Sequence, residues 1–217
     1  MNRINAARAL AFCTVLFGFA FYVIGGLLKP GYSSSSSFIS ELNASGTPWA
    51  LQFGFFGFVP LGLLFAAFLI AARPHVRMHG ASKLGWWLLW AQPVDLVLAV
   101  LAPCDAGCPL QGSSAQVIHS LHGGIACVAT GLGLSLLAFA PALAGEHSWA
   151  RFFLRLSGAV YVLAYMALLS PDIMPVRGLL QRSADAFLAA SLLLIACRMI
   201  QPHQDPRFQC PDWRPHE

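Results

Sequence analysis

Charged residues are scarce in this chain. Aspartate, glutamate, lysine and arginine make up only 10% of the 217 residues, whereas an ordinary soluble domain carries about 25%. Hydrophobic residues make up 57%, so lipid rather than water is the expected solvent for most of the chain. The formal charge is +4, but no basic patch is interleaved with aromatic residues, and no nucleic-acid partner is therefore expected.

The chain contains six long apolar segments. A helix of about 20 apolar residues crosses the hydrocarbon core of a bilayer, which is about 30 Å thick. Six such runs predict an all-α fold, a polytopic bundle of six transmembrane helices that forms one domain over residues 1–200. The tail, residues 201–217, contains four prolines and is predicted to be irregular and cytoplasmic. The predicted helices are residues 9–28, 49–72, 84–102, 115–140, 149–169 and 179–200.

Basic residues are distributed unevenly between the two sides that six helices define. Both termini fall on one side, and that side carries ten lysines and arginines against three on the other. Basic residues favour the cytoplasmic side. We therefore predict cytoplasmic termini and a multi-pass protein of the inner membrane. The ten are Arg3, Arg8, Arg73, Arg77, Lys83, Arg151, Arg155, Arg198, Arg207 and Arg214; the three are Lys29, Arg177 and Arg182.

The stretch from residue 103 to residue 124 concentrates polar chemistry between two apolar runs. Cys104 and Cys108 are separated by three residues in a loop that the predicted topology places outside the cytoplasm. A structural disulfide is the simplest interpretation there. Redox catalysis is disfavoured because the spacing is not C-x-x-C. A zinc site that uses both thiolates, with His119 as a further ligand, is a third interpretation, so no metal is assigned.

Several titratable residues fall within predicted helices. His119 and His122 are three apart, so they share one helix face; they are either catalytic groups or polar packing groups. Asp95 lies near the middle of the third helix, where an aspartate costs about 2.5–3.5 kcal/mol, so it is expected to face the bundle interior or a cavity. It is either a functional group or a hydrogen-bonded residue that ties helices together. Arg182 and Asp185 are also three apart, and an intrahelical ion pair is the simple interpretation.

Two loops carry the remaining candidates. Five consecutive serines precede Ser40 and Glu41. This segment is interpreted as a linker followed by one helical turn, or alternatively as a segment that returns Glu41 toward the bundle. His75 and His79 are four apart in a short basic loop. They are interpreted as residues of a solvated, membrane-proximal loop rather than as metal ligands.

Several motifs together resemble a bacterial and archaeal family of six-helix membrane proteins of unknown function. The resemblance spans roughly residues 10 to 200, and a Cys-Asp-x-Gly-Cys-Pro motif is its most specific part. It implies the six-helix architecture and no particular activity. The motifs are Tyr32-Ser33, Ile39-Ser40-Glu41-Leu42, Pro48, Pro103-Cys104-Asp105, Gly107-Cys108-Pro109, His119, His122, Gly178-Leu179 and Arg182.

A second, weaker resemblance is to the eukaryotic DRAM and Frag-like membrane proteins. Some of those proteins are associated with remodelling the lipid of GPI anchors. An I-S-[DE] segment before the second helix and a histidine in the fourth helix match Ser40, Glu41 and His119 here. The resemblance implies membrane lipid as a partner.

The first functional hypothesis is a lipid-directed hydrolase or acyl transferase on the outer side of the bundle. His119 or His122 would be the general base, and Glu41 or Asp105 would orient it. Ser40 and Ser120 are candidate nucleophiles, although no G-x-S-x-G motif supports them. Arg182 would hold a phosphate group or stabilise developing charge. In a zinc-dependent version, His119, His122 and a carboxylate would bind the metal, and metal-bound water would replace the serine.

The alternative hypothesis is a protein that binds or transports a lipid or small amphiphile without catalysis. Asp95, His122 and Asp185 would then line a polar cavity within the bundle. The two halves of the chain share no obvious motif, which argues modestly against a carrier built from inverted repeats. A haem or quinone redox protein is disfavoured because only one helix carries histidines within the membrane.

Overall fold

Six helices in the computed structural model are long and apolar enough to cross a membrane. The structure describes residues 2–144 and 148–201, and that part of the chain contains no strand. The predicted all-α, six-helix fold is confirmed, and the chain is a multi-pass membrane protein. The predicted tail lies outside the described residues except for Gln201. The helices are α1 Arg3–Leu28, α2 Ala50–His75, α3 Ala81–Leu101, α4 Ser114–Leu137, α5 Ser148–Leu168 and α6 Asp172–Met199.

The first and sixth helices begin six and seven residues earlier than the hydropathy pattern predicts. Helix α1 begins at Arg3, where the side chain of Asn2 accepts a hydrogen bond from the backbone N–H of Ile4 at 3.3 Å. The predicted start of the sixth helix at residue 179 was too late, because a 3₁₀ turn over Pro171–Val176 leads directly into the α-helical part. Proline is tolerated in the first turn of a helix, where its missing N–H needs no partner.

Two helices contain local breaks. Helix α2 carries a π-helical turn at Gly54–Phe58, just before Pro60. Helix α3 consists of two α-helical pieces, Ala81–Leu88 and Ala91–Leu101. Pro93 explains this second break, because its ring crowds the carbonyl group of the residue four positions earlier and offers no N–H to it.

The six helices pack as a closed ring. Each helix contacts its neighbour in the chain, and α1 also packs against α6. Helices α3 and α4 cross closely at Gly85 and Gly133, since a Cβ atom on Gly85 would lie 2.7 Å from the carbonyl oxygen of Gly133. Large apolar side chains cover the outside of the ring; Leu27, Phe56 and Leu101 are 81%, 77% and 76% exposed. This surface suits contact with lipid tails.

The two ends of the ring differ in composition. The end at which α1 begins is called the basic end, because eight of the eleven lysines and arginines in the described part of the chain lie there. Arg8 closes the ring at this end by donating to the carbonyl oxygens of Ala196 at 3.1 Å and Ile200 at 3.0 Å. The opposite end, the cysteine end, holds the loops that follow α1, α3 and α5.

Candidate functional site

An aspartate and a histidine pair within the ring, between α3 and α4. Oδ1 of Asp95 lies 2.5 Å from Nδ1 of His122, and the two side chains are 20% and 10% exposed. An ionised carboxylate only accepts hydrogen bonds, so with Asp95 ionised Nδ1 of His122 is the donor of this contact. Nε2 of His122 is buried and has no hydrogen-bond partner within the described part of the chain. The histidine is therefore held through one ring nitrogen, while the other remains open to a proton.

His119 lies one helical turn from His122, toward the cysteine end. The centroids of the two rings are 5.0 Å apart, and the ring planes meet at 74°. Nδ1 of His119 lies 3.1 Å from the carbonyl oxygen of Ala102, to which it donates. The shared helix face predicted from the spacing of three thus corresponds to direct packing of the two imidazoles.

The cysteine pair sits beside His119. The structure brings the sulfur atoms of Cys104 and Cys108 into close contact, at the separation of a disulfide bond, with their Cα atoms 5.2 Å apart. Both cysteines are buried. Oγ of Ser40 lies 3.4 Å from the sulfur of Cys108. This predicted nucleophile therefore touches the cysteine loop and forms no hydrogen bond with a histidine in the part of the chain described.

The same cysteines belong to a potential metal-ligand group. The ligand atoms of Cys104, Cys108 and His119 lie within 4.8 Å of one another, and no other such group of three occurs among the described residues. Zinc binds cysteine as a thiolate. A disulfide and a metal site are thus mutually exclusive states of this pair. The set of His119, His122 and a carboxylate that the sequence suggested for zinc does not assemble within the described residues.

Glu41 pairs with an arginine instead of a histidine. Its Oε1 lies 2.9 Å from Nη2 of Arg177 and accepts a hydrogen bond from the backbone N–H of Phe38 at 2.7 Å. The side chains of Glu41 and Arg177 are 13% and 10% exposed. The alternative in which Glu41 returns toward the bundle corresponds to this contact. The role of Glu41 in orienting a histidine has no geometric support.

Arg177 joins three loops at the cysteine end. Its guanidinium donates to the carbonyl oxygens of Ser36 at 2.8 Å and Gly107 at 2.9 Å, in addition to Glu41. It also stacks on the ring of Phe38, with Cζ 4.4 Å from the centroid. Sequence reasoning assigned Arg177 only to a loop, because its partner Glu41 is 136 residues away in the chain.

Asp105 holds the N-cap residue of helix α4, which is Ser113. Its carboxylate oxygens accept hydrogen bonds from the backbone N–H and the hydroxyl of Ser113, both at 2.7 Å. These hydrogen bonds hold the pKa of Asp105 below its ordinary value. The backbone N–H of Asp105 donates to Oε1 of Gln116 at 2.9 Å. Asp105 therefore organises the loop before α4 and is not bonded to either histidine.

Arg182 and Asp185 point to different partners, so the expected intrahelical ion pair does not form. The guanidinium of Arg182 donates to the carbonyl oxygens of Ser34 at 2.8 Å and Ser37 at 3.0 Å, and to the hydroxyl of Tyr32. These contacts hold the serine-rich loop against the N-terminal part of α6. They leave the guanidinium occupied by protein groups, which speaks against its predicted role as a phosphate ligand.

A second polar cluster lies within the ring around Asp185. The sequence predicted Asp185 in a polar interior but not its partners Gln92, Thr130 and Tyr161. The hydroxyl of Tyr161 on α5 donates to Oδ1 of Asp185 at 3.0 Å and lies 3.3 Å from Oε1 of Gln92. Gln92 also accepts a hydrogen bond from the hydroxyl of Thr130 at 3.2 Å. The cluster therefore links α3, α4, α5 and α6. The available signal was that Gln92 lies three residues before Asp95, on the same face of α3.

A small cavity of about 170 Å³ opens at the cysteine end, and neither histidine of α4 lines it. Lys29 and Glu41 are among its lining residues. The ammonium group of Lys29 donates to the carbonyl oxygen of Leu42 at 2.9 Å, to Oγ1 of Thr47 at 2.6 Å and to the carbonyl oxygen of Pro48 at 3.4 Å. Burial lowers the pKa of Lys29. With all three N–H groups occupied, Lys29 acts as a structural cation.

The family assignment agrees with this architecture. The model of a family described as "Protein of unknown function (DUF998)" matches residues 12–198, so the chain belongs to that family. No curated protein and no solved structure shows significant similarity to the chain.

Proposed function

We propose that this DUF998 protein is a lipid-directed hydrolase or acyl transferase in which His122 is the general base and Asp95 orients it. The observation that carries the proposal is the 2.5 Å contact between Nδ1 of His122 and Oδ1 of Asp95, combined with a buried Nε2 atom without a partner among the described residues. A general base needs a fixed orientation and one nitrogen free to accept a proton. His122 meets both requirements.

The proposed reaction begins with a hydroxyl group close to Nε2 of His122. Nε2 takes the hydroxyl proton while the oxygen attacks the ester carbonyl carbon of the substrate, and Asp95 stabilises the resulting imidazolium. The tetrahedral intermediate then collapses. The bond to the leaving oxygen breaks, and that oxygen takes the proton back from His122. Water as the attacking group gives hydrolysis, and a second alcohol gives acyl transfer.

The attacking hydroxyl is proposed to come from water or from a second substrate. No serine, threonine or tyrosine hydroxyl in the described residues is hydrogen-bonded to Nε2 of His122. Ser40 contacts Cys108 instead. His119 is proposed as a positioning residue, because it packs against the imidazole of His122 and is itself fixed by the carbonyl oxygen of Ala102.

Lipid is the proposed substrate class because of where the pair lies. Asp95 and His122 belong to membrane-spanning helices whose outer surfaces are apolar and suited to contact with acyl chains. The resemblance of Ser40, Glu41 and His119 to DRAM and Frag-like proteins supports the same class. The excess of basic residues at the opposite end supports cytoplasmic termini, an inner-membrane location and a site that faces the outer leaflet.

A second candidate function is binding or transport of a lipid or small amphiphile without catalysis. The cluster of Gln92, Thr130, Tyr161 and Asp185 favours it, because it extends the polar interior of the ring across four helices. Intramembrane carboxylates of this kind commonly mark substrate or proton pathways. Asp185, together with Asp95, would then line the path.

The test is turnover of defined lipids by the purified protein. Full-length protein is placed in nanodiscs of phosphatidylethanolamine and phosphatidylglycerol, and mass spectrometry follows released fatty acid and acyl groups transferred between lipids. We expect wild-type turnover, with a loss of about 10²–10⁴-fold in His122→Gln. Ser120→Ala is the matched control, since Ser120 lies on the same helix between the two histidines and bonds to Gln116.

Two outcomes would decide against the enzyme. Equal turnover by wild type and His122→Gln would remove His122 from the chemistry. No turnover by wild type, together with a phospholipid that co-purifies in stoichiometric amount and is lost from Asp185→Asn, would favour the binding or transport function.

A further inference from the structure

A larger cavity lies at the basic end of the ring, at the opposite end from the cysteine loop. Its volume is about 430 Å³. It is formed by the end of α2 and the segment that joins α2 to α3, by the turn after α4 and by the chain that follows α6. Its lining includes Arg73, His75, Arg77, His79, Pro141 and Gln201.

The lining of this cavity is basic and contains no acidic residue. Two arginines and two histidines face it. The two close pairs of a carboxylate and a basic side chain found among the described residues, Asp95 with His122 and Glu41 with Arg177, both lie elsewhere. Within the part of the chain described, the guanidinium groups of Arg73 and Arg77 have no carboxylate partner. No carboxylate among the described residues therefore neutralises the charge of these two arginines.

His75 provides an independent sign of a missing partner. Its Nδ1 atom is buried and has no hydrogen-bond partner among residues 2–144 and 148–201. Buried polar atoms are nearly always hydrogen-bonded in native proteins, so one without a partner requires an explanation. The residue that carries this atom lines the cavity together with Arg73 and Arg77.

The backbone around the cavity is fixed before any ligand arrives. Val76 and Ile200 form an isolated antiparallel bridge. The backbone N–H of Gln201 donates to the carbonyl oxygen of His75 at 3.1 Å. These contacts attach the α2–α3 segment to the end of α6, so the basic side chains project from a preorganised backbone. Preorganisation lowers the cost of binding.

We propose that this cavity binds a phosphate ester. The volume falls within the range of about 300–1,000 Å³ that small-molecule sites occupy. The planar guanidinium of arginine matches the geometry of phosphate oxygens, and two such groups supply the charge that a phosphomonoester requires. The general excess of basic residues at this end explains why the cavity residues are positively charged. It does not explain why four basic residues line one cavity. The ester is either a lipid headgroup or a soluble molecule.

The two sources are separated by two probes. Glycerol 3-phosphate is titrated calorimetrically into the full-length protein in phosphatidylcholine nanodiscs. In parallel, nanodiscs with and without phosphatidic acid are compared by native mass spectrometry for lipid that remains bound to the protein. Saturable binding of glycerol 3-phosphate identifies a soluble ligand. Retention of phosphatidic acid without binding of glycerol 3-phosphate identifies a lipid headgroup.

Matched arginine variants test the site itself. Arg73→Gln and Arg77→Gln each remove one charge from the cavity, and we expect each to weaken binding at least tenfold. Arg3→Gln removes one charge from an exposed residue at the same end of the ring, so it should retain wild-type affinity. Arg77 is itself exposed, so its replacement leaves the packing of the ring intact.

Either of two results would overturn the proposal. One is the absence of binding of both probes to the wild-type protein. The other is equal weakening by Arg3→Gln and by the two cavity variants, which would indicate general electrostatic attraction to this end of the ring. Neither result bears on lipid turnover at His122, because the two sites use different residues.

Discussion

Two largely shielded pairs of a carboxylate and a basic side chain, both among the described residues, differ in how completely their hydrogen-bonding groups are satisfied. In the pair at the cysteine end, Arg177 donates to Glu41 and to two backbone carbonyl groups and stacks on Phe38. In the pair within the ring, His122 contacts Asp95 through one nitrogen and leaves the other without a partner in the described residues. A fully bonded pair stabilises a structure, whereas a pair with a free, oriented nitrogen is equipped for proton transfer.

The hydrogen-bonding of the two pairs distinguishes a stabilising role from a catalytic one, which the residue types alone do not distinguish. Both pairs join a carboxylate to a basic side chain, and both are largely shielded from solvent. We therefore expect the Arg177 pair to stabilise the fold and the His122 pair to take part in catalysis. Substitutions in the two pairs should have opposite consequences.

The largest expected effect is on turnover in Asp95→Asn. An asparagine carries no charge to stabilise the imidazolium of His122, and its amide group can orient the ring in the wrong tautomer. Lipid turnover should fall by about 10²–10⁴-fold. The free energy of unfolding should change by only about 0.6 kcal/mol, an average value for one intramembrane hydrogen bond. If Asp95→Asn turned over lipid at the wild-type rate, the catalytic role of the His122 pair would be contradicted.

Glu41→Ala should show the reverse pattern. It leaves the largely buried guanidinium of Arg177 without its carboxylate, which should cost about 3 kcal/mol of unfolding free energy. Turnover per folded molecule should be unchanged. Denaturant unfolding in detergent micelles measures the cost, and Asp172→Ala is the matched control because Asp172 is an exposed acid at the same end. Equal stability of the two variants would contradict the assignment.

The cysteine pair should contribute a smaller stabilisation. A disulfide that closes so short a loop is worth about 2 kcal/mol. Cys104→Ser should lose this amount, and a reducing agent should lower the stability of the wild type equally without affecting the variant. Cys13→Ser is the control, because Cys13 is an unpaired cysteine in α1. Recovery of stability when zinc is added to the reduced wild type would instead support metal binding by the thiolates and His119.

The smallest expected effect is the pH dependence of the cap on α4. The pKa of Asp105 is lowered in the folded protein from an ordinary value of 3.8, so the cap stabilises the fold fully above that value. This contribution is lost as the pH falls through the lowered pKa. Melting temperatures of wild type and Asp105→Asn should differ at neutral pH and converge in strong acid. A constant difference at all pH values would argue against the carboxylate cap.

Local sequence patterns were sufficient to predict the fold and the contacts between near neighbours. Six apolar runs predicted six helices because the thickness of the bilayer sets the length of a helix that crosses it. A separation of three residues was enough to expect packing of His119 against His122. Cys104 and Cys108 are likewise close in the chain, and their contact needs only a tight loop.

Contacts between distant segments could not be predicted in the same way. Periodicity shows which face of a helix is polar, but not how that helix is rotated against its neighbours, so the pairing of Asp95 with His122 depended on the structure. The contact between Glu41 and Arg177 depends on closure of the ring, which brings the loop after α1 to the start of α6. The start of α6 was itself obscured by Pro171 and Pro175, which indicate a loop to sequence reasoning.

The protonation state of His122 is the most direct test of its proposed role as a general base oriented by Asp95. Nitrogen-15 NMR of histidine-labelled protein in nanodiscs, assigned with His122→Gln, distinguishes a protonated ring nitrogen from an unprotonated one. At neutral pH we predict a proton on Nδ1 and none on Nε2. The Nδ1 signal should change in Asp95→Asn. A proton on Nε2, or a His122 signal that is the same with and without the Asp95 carboxylate, would contradict the role of His122 as the oriented base.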